Sequence, residues 1–243
     1  MTSAALAPEP TRTGTAMPAG QRRALGVILA VSMAIAVVAP FDVYFTAATF
    51  GSPLLRAVLI VVLALIGGRC ALDCGLSLTG NGGRSSLLIG LFMAAAMAGY
   101  VLALDCWLFR DTIDPGYAAF LHLPLPYRLS YFMLRAFNEN VMYRLFAFSA
   151  LTWLASRACG VKIVPVSLLV AIMIAAQMLN IGMNVVAAAH EPLTAAVLGY
   201  DALRYIVPGV TWAWLFWRFG FVTAEIASVC CHLFLQPGFS YLL

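Results

Sequence analysis

The stretch FNENVMYRLF, residues 137–146, places a carboxylate, an amide and a guanidinium (Glu139, Asn140 and Arg144) inside a run apolar enough to cross a bilayer. Each such group costs several kcal/mol in hydrocarbon unless it pairs, faces a wet cavity or serves a reaction. Helical spacing joins them in pairs: Arg135 and Glu139 are i and i+4, as are Asn140 and Arg144, so each pair shares a face. Two other stretches have the same character. Gln177, Asn180 and Asn184 stand at i, i+3 and i+7; Glu225, Ser228, His232 and Gln236 stand at i, i+3, i+7 and i+11.

Zinc catalysis is one chemistry that such residues suggest. A catalytic zinc takes three protein ligands, and only Glu139 and His232 are available at depth, so no metal or other cofactor is expected. His122 falls in an interfacial stretch and His190 near an outer end. The cysteines Cys70, Cys74, Cys106, Cys159, Cys230 and Cys231 have no regular spacing. They read as free thiols.

The elements that carry these side chains follow from composition. Of 243 residues, 63% are hydrophobic and 10% charged, with a mean hydropathy of +0.94. Soluble domains are about half apolar and roughly a quarter charged. The sequence therefore predicts an all-α, polytopic integral membrane bundle in contact with the lipid bilayer, and nothing supports nucleic-acid binding. Residues 1–21 have no hydrophobic period and read as a disordered tail, followed by one transmembrane domain over 22–243.

Runs long enough to span occur at 24–48, 53–70, 86–109, 128–157, 163–189, 197–217 and 220–242. The predicted number of spans is seven, within a range of six to eight, because the region holding Pro192 and Pro208 is ragged. Gly80, Gly82 and Gly83 mark a polar turn, and 110–127 reads as an interfacial loop.

A cytoplasmic N-terminus puts Arg12, Arg22, Arg23, Arg69, Arg84, Arg157, Lys162 and Arg218 inside. Arg56, Arg110, Arg128 and Arg204 then lie outside, with Asp42, Asp111, Asp114, Glu191 and Asp201. That balance fits the positive-inside rule, in the inner (cell) membrane. On this map Glu139 is roughly 16 Å deep and His232 about 18 Å deep from the opposite side, at the rise of an α-helix. Gln177 is at a similar depth. Asp105 and Glu225 are close enough to span ends to reach the interface. Polar stripes in lipid turn toward each other or toward water, so a polar cavity is expected between the fourth, fifth and last spans. A purely structural role, with the amides holding helices together, is the competing reading.

The segment NENVMYRLFAFSALTWLASR, residues 138–157, resembles the Glu-Glu-x-x-x-Arg motif of the CAAX-protease and bacteriocin-processing (CPBP) family. WAWLFWRFGFVTAEIASVCCHLFLQ, residues 212–236, resembles that family's closing element, in which a helix carries His-x-x-x-Asn or His-x-x-x-Asp. Residues 166–184 occupy the place of its Phe-x-x-x-His, and the likeness covers about 128–240. The resemblance implies an intramembrane endopeptidase acting on a membrane-associated or lipidated polypeptide. It makes Glu139 the base that activates water, with His232 assisting and Arg144 as the motif arginine. Gln177 and either Ser228 or Gln236 would polarise the carbonyl.

The pattern is departed from in three places. Asn140 stands where the second Glu belongs, leaving Arg144 without an i+4 carboxylate, and Glu139, five residues before it, lies on a different helical face. Met173 and Gln177 replace the Phe and His of the second motif, and Gln cannot shuttle a proton. In the last motif, a gapless count from Gly220 puts Ser228 at the His position and His232 at the Asn/Asp position; sliding by one turn pairs His232 with His and Gln236 with Asn. These departures favour reduced or lost activity, in which case the cavity would bind, scaffold or protect without cutting. A small transporter subunit using the cavity as a pathway is the more distant alternative.

Overall fold

The computed structural model describes residues 17–38, 52–80, 82–113, 115–161, 163–187 and 194–242, with no side-chain description at 184–187. The Asn184 side chain, Arg12, Asp42, Asp114, Lys162, His190, Glu191, Pro192 and residues 1–16 and 39–48 lie outside what is described. The described residues form helices and connecting turns, with no strand.

Within the described residues, each of the seven predicted runs overlaps a long helical stretch. Helix α1 is Ala19–Val38, α2 Pro53–Asp73 and α3 Gly83–Ala103, the last continuing through a π-helical turn, Leu104–Leu108. A short α4, Pro115–Leu121, is followed by α5, Leu125–Asn140, which runs without a break through a π-helical segment, Val141–Phe148, into α6, Ser149–Ala158. Helices α7 (Val166–Ala187), α8 (Ala195–Phe219) and α9 (Phe221–Leu242) complete the chain. Helix α1 starts within the stretch read as a tail.

Among the described residues, four helical stretches are long and apolar enough to cross a membrane by length and composition: Ala19–Val38, Pro53–Asp73, Gly83–Leu108 and Val166–Met183. This bundle of apolar helices fits a membrane protein. Large side chains such as Leu54, Val58, Leu88, Phe92, Val166 and Val170 remain exposed along them, as a lipid-facing surface requires. The more polar helices α5, α8 and α9 instead supply most of the cavity wall described below.

Small residues set the central packing. Ser86, Gly90, Ala94 and Ala98 recur every fourth residue along α3 and are all buried. That face meets α9, its most extensive neighbour, at Thr223 and Ala227, which lie within 4 Å of the position a Gly90 Cβ would take. Small side chains let two helix backbones approach where lipid supplies no hydrophobic drive for association.

The α8–α9 corner turns at Gly220, whose φ of +96° suits glycine. A Cβ there would stand 1.9 Å from the Thr79 carbonyl oxygen. The freed space lets the Phe221 and Val222 N–H groups donate to the Ser77 and Leu78 carbonyls, at 2.9 and 3.2 Å. Those backbone bonds satisfy two of the donors that a helix start leaves open. Gln21 of α1 grips the same strap, donating to Ser77 Oγ at 3.0 Å and accepting from the Leu78 N–H at 2.8 Å.

One prediction about a surface needs correction. Residues 110–127 are not merely an interfacial loop, because α4 buries Tyr117 and Leu121 against the bundle. Of the four arginines assigned to the outer side, Arg56, Arg128 and Arg204 are largely enclosed by protein, while Arg110 is exposed. Helix-end arithmetic measures distance along an axis; it does not register a neighbouring segment folded over the end.

Candidate functional site

A cavity of about 140 Å³ lies among α5, α7, α8 and α9. Glu139, Arg144, Gln177, Ser228 and His232 all line it. The fourth, fifth and last spans therefore converge as their polar stripes predict. Asn140 and Gln236 are fully buried behind the wall and do not line the cavity. Helix α8 adds Arg204, Tyr205, Pro208 and Trp212, a contribution that the sequence reading did not include.

Arg135 donates through Nε to Glu139 Oε1 at 2.6 Å, one turn apart on α5. The predicted intrahelical pair is thus closed, and Glu139 keeps a quarter of its side-chain surface accessible. Arg144 donates through Nη2 to Gln177 Oε1 at 3.0 Å, joining the π-helical segment to α7. The Gln177 Nε2 is buried without a hydrogen-bond partner. His232 stacks on Phe132, with ring centroids 5.4 Å apart and planes 13° from parallel. Its Nδ1 is also buried without a partner.

The expectation that Glu139 lies on a different face from Arg144 is corrected by the local backbone. Val141–Phe148 is π-helical, and i→i+5 bonding brings residues five apart toward register. Both side chains line the same cavity. Arg144 stands in the field of Glu139 and of a second carboxylate, Glu225 of α9. Glu225 is 7% exposed, so its carboxylate is enclosed by protein.

Asp105 is likewise enclosed by protein. It is fully buried in the π-helical turn at the end of α3. The Tyr200 hydroxyl donates to its Oδ1 at 3.0 Å, and Arg204 Nη2 pairs with its Oδ2 at 3.1 Å. The Arg204 guanidinium also lies 4.3 Å from the centroid of the Tyr117 ring, a cation–π contact. Arg135, Arg144 and Arg204 thus all face the cavity, while Asp105 and Glu225 do not line it.

A buried ionisable residue inside an apolar run is the signal that marks Asp105 and Glu225. Among the described residues, no three His, Cys, Asp or Glu side chains gather as a metal site would require. Compared with models of known families, with characterised proteins and with solved structures, the chain has no match.

Proposed function

We propose that this chain is a divergent CPBP-like protein of the cell membrane, with its N-terminus in the cytoplasm, whose cavity receives a segment of a membrane-associated or lipidated polypeptide. The observation that carries this reading is the convergence of Glu139, Arg144, Gln177, Ser228 and His232 on one cavity between helices. In the hydrolytic form of the reading, Glu139 takes a proton from water as it attacks a peptide carbonyl. Gln177 and Ser228 turn donors toward the developing oxyanion, and the proton, its transfer assisted by His232, passes to the departing amine as the C–N bond breaks.

A second reading, binding without cleavage, has its own support. Arg135 engages Glu139 at 2.6 Å, so the base is already held by a cation. His232 is stacked face to face on Phe132. A site in this state captures a polypeptide more readily than it cleaves one.

One experiment separates the two. Wild-type and Glu139→Ala protein in detergent are incubated with membrane-anchored and prenylated peptides, with cleavage read by mass spectrometry and capture by co-elution. Cleavage that disappears in Glu139→Ala supports hydrolysis. Capture without cleavage by either protein supports the binding reading, and neither capture nor cleavage overturns both.

A further inference from the structure

Among the described residues, the cavity wall carries three guanidinium groups, Arg135, Arg144 and Arg204, against one carboxylate, Glu139. Two of the three are already answered. Arg135 holds Glu139 at 2.6 Å, and Arg204 reaches Asp105, behind the wall, at 3.1 Å. Arg144 differs: it is 5% exposed, yet among the described residues it belongs to no ion pair. Glu225 does not line the cavity and belongs to none of these ion pairs either. A buried cation without a paired anion is costly. The partner that Arg144 does have, Gln177, is a neutral amide, and that bond uses one of the five N–H donors of the guanidinium.

The same bond sets the Gln177 amide. Arginine can only donate, so the Gln177 oxygen faces Arg144 at 3.0 Å and the amide nitrogen is turned away from it. That Nε2 is buried without a hydrogen-bond partner, on a side chain 2% exposed that lines the cavity. Ser228 adds a hydroxyl to the wall. The cavity, at about 140 Å³, has ample room for a ligand group, since one water needs roughly 10–15 Å³. A bound oxyanion would answer the cation and the orphaned donor together. A carboxylate offers two oxygens to such donors, whereas a phosphate monoester offers three strong acceptors.

We propose that this cavity holds a phosphate group, paired with the Arg144 guanidinium and hydrogen-bonded by Gln177 Nε2 and the Ser228 hydroxyl. The planar fork of Arg144 suits two phosphate oxygens at once. The Arg135–Glu139 pair keeps the wall's carboxylate neutralised toward the incoming anion. The phosphate comes from a lipid headgroup or from a free anion, and either is recognised by the same chemistry. No peptide is needed in the cavity for this binding.

The test titrates the full chain in detergent with dioctanoyl phosphatidic acid and, separately, with inorganic phosphate, reading thermal unfolding. Dioctanoylglycerol and sodium chloride at matched ionic strength are the blanks. A ligand that binds the folded state raises Tm as its concentration passes Kd, so a rise beyond the blank is expected. A rise with phosphatidic acid alone identifies a lipid headgroup; a rise with both probes identifies a site open to free phosphate. No rise with either overturns the proposal, and an equal rise with acetate overturns the choice of phosphate. Arg144→Met and Gln177→Leu, each read against its own unliganded Tm, weaken the response about tenfold or more. Arg84→Gln, at an exposed arginine of α3, leaves it unchanged. An undiminished response in Arg144→Met overturns the proposal. Where that variant does not fold, Gln177→Leu and Ser228→Ala are the measure, and a full response in both overturns it. Phosphate binding without peptide capture sinks the polypeptide reading alone, and peptide capture without phosphate binding sinks this one alone.

Discussion

The Gln177 carboxamide lies directly over the α-carbon of Gly209. A Cβ on Gly209 would stand 2.1 Å from Gln177 Oε1 and 2.3 Å from its Cδ. The same Oε1 accepts the Arg144 hydrogen bond. Helix α8 therefore admits the α7 amide to the cavity wall only because residue 209 has no side chain, next to Pro208 and one turn beyond Tyr205 in the same wall.

Gly209→Ala must displace Gln177 and break its bond to Arg144. Overpacking and the lost bond together destabilise the protein by about 1–3 kcal/mol. Because the obstructing atoms belong to the end of a flexible side chain, shortening that side chain removes the conflict. Gly209→Ala combined with Gln177→Ala should therefore cost less than the sum of the two single changes. Thermal unfolding of the four proteins in one detergent measures this, and strict additivity would refute the contact.

Gly67→Ala is expected to be more severe. Its Cβ would meet the Leu145 carbonyl oxygen at 2.4 Å and the Phe146 Cα at 2.6 Å. These are backbone atoms of the π-helical segment carrying Arg144, and they cannot rotate away. The predicted loss is about 3 kcal/mol or more, seen as a low yield of monodisperse protein. Gly26→Ala on α1, where a Cβ meets nothing within 4 Å, is the neutral control.

The convergence of Glu139, Gln177 and His232 was legible in the sequence because lipid leaves few other places for polar side chains at mid-depth. Among the described residues, the long helices were legible as apolar runs of spanning length. Three features were not. The π-helical segments, which change the register of Arg144 and carry Asp105, leave no mark on an apolar periodicity. The enclosure of Asp105 and Arg204 depends on how segments stack; Tyr117 of α4 covers Arg204 from a stretch read as loop. Glu225 was visible as part of a polar stripe, but its nearness to a helix start suggested water, and the Gly220 corner instead turns that start into the bundle.

The Asp105–Arg204 pair makes a prediction about asymmetry. Asp105→Ala removes the carboxylate and leaves Arg204, 15% exposed at its side chain, without that countercharge. Breaking one side of a buried pair costs about 3–5 kcal/mol. Tyr200→Phe removes one hydrogen bond to Asp105 and leaves the ion pair in place, so about 1–2 kcal/mol is expected. Denaturant-free thermal scans should rank wild type above Tyr200→Phe and that above Asp105→Ala. A Tyr200→Phe cost equal to that of Asp105→Ala would mean that the hydroxyl, not the ion pair, holds α8 to α3.

Two thiols near helix ends report both chemistry and orientation. Cys159 is exposed in the turn after α6, whereas Cys74, just past α2, is partly buried. Burial pushes the Cys74 thiol up to about 12, with Cys70 and Asp73 adding to the shift and Arg157 opposing it. At pH 8 only about one Cys74 in ten thousand is then the reactive thiolate. A maleimide should label Cys159 readily in purified protein at this pH and leave Cys74 nearly untouched, with Cys74 labelling rising as pH approaches its raised value. The proposed orientation puts both thiols on the cytoplasmic side. An impermeant maleimide should accordingly reach Cys159 only after cells are permeabilised. Labelling of Cys159 in intact cells would reverse the orientation, and equal labelling of both thiols at pH 8 would contradict the burial of Cys74.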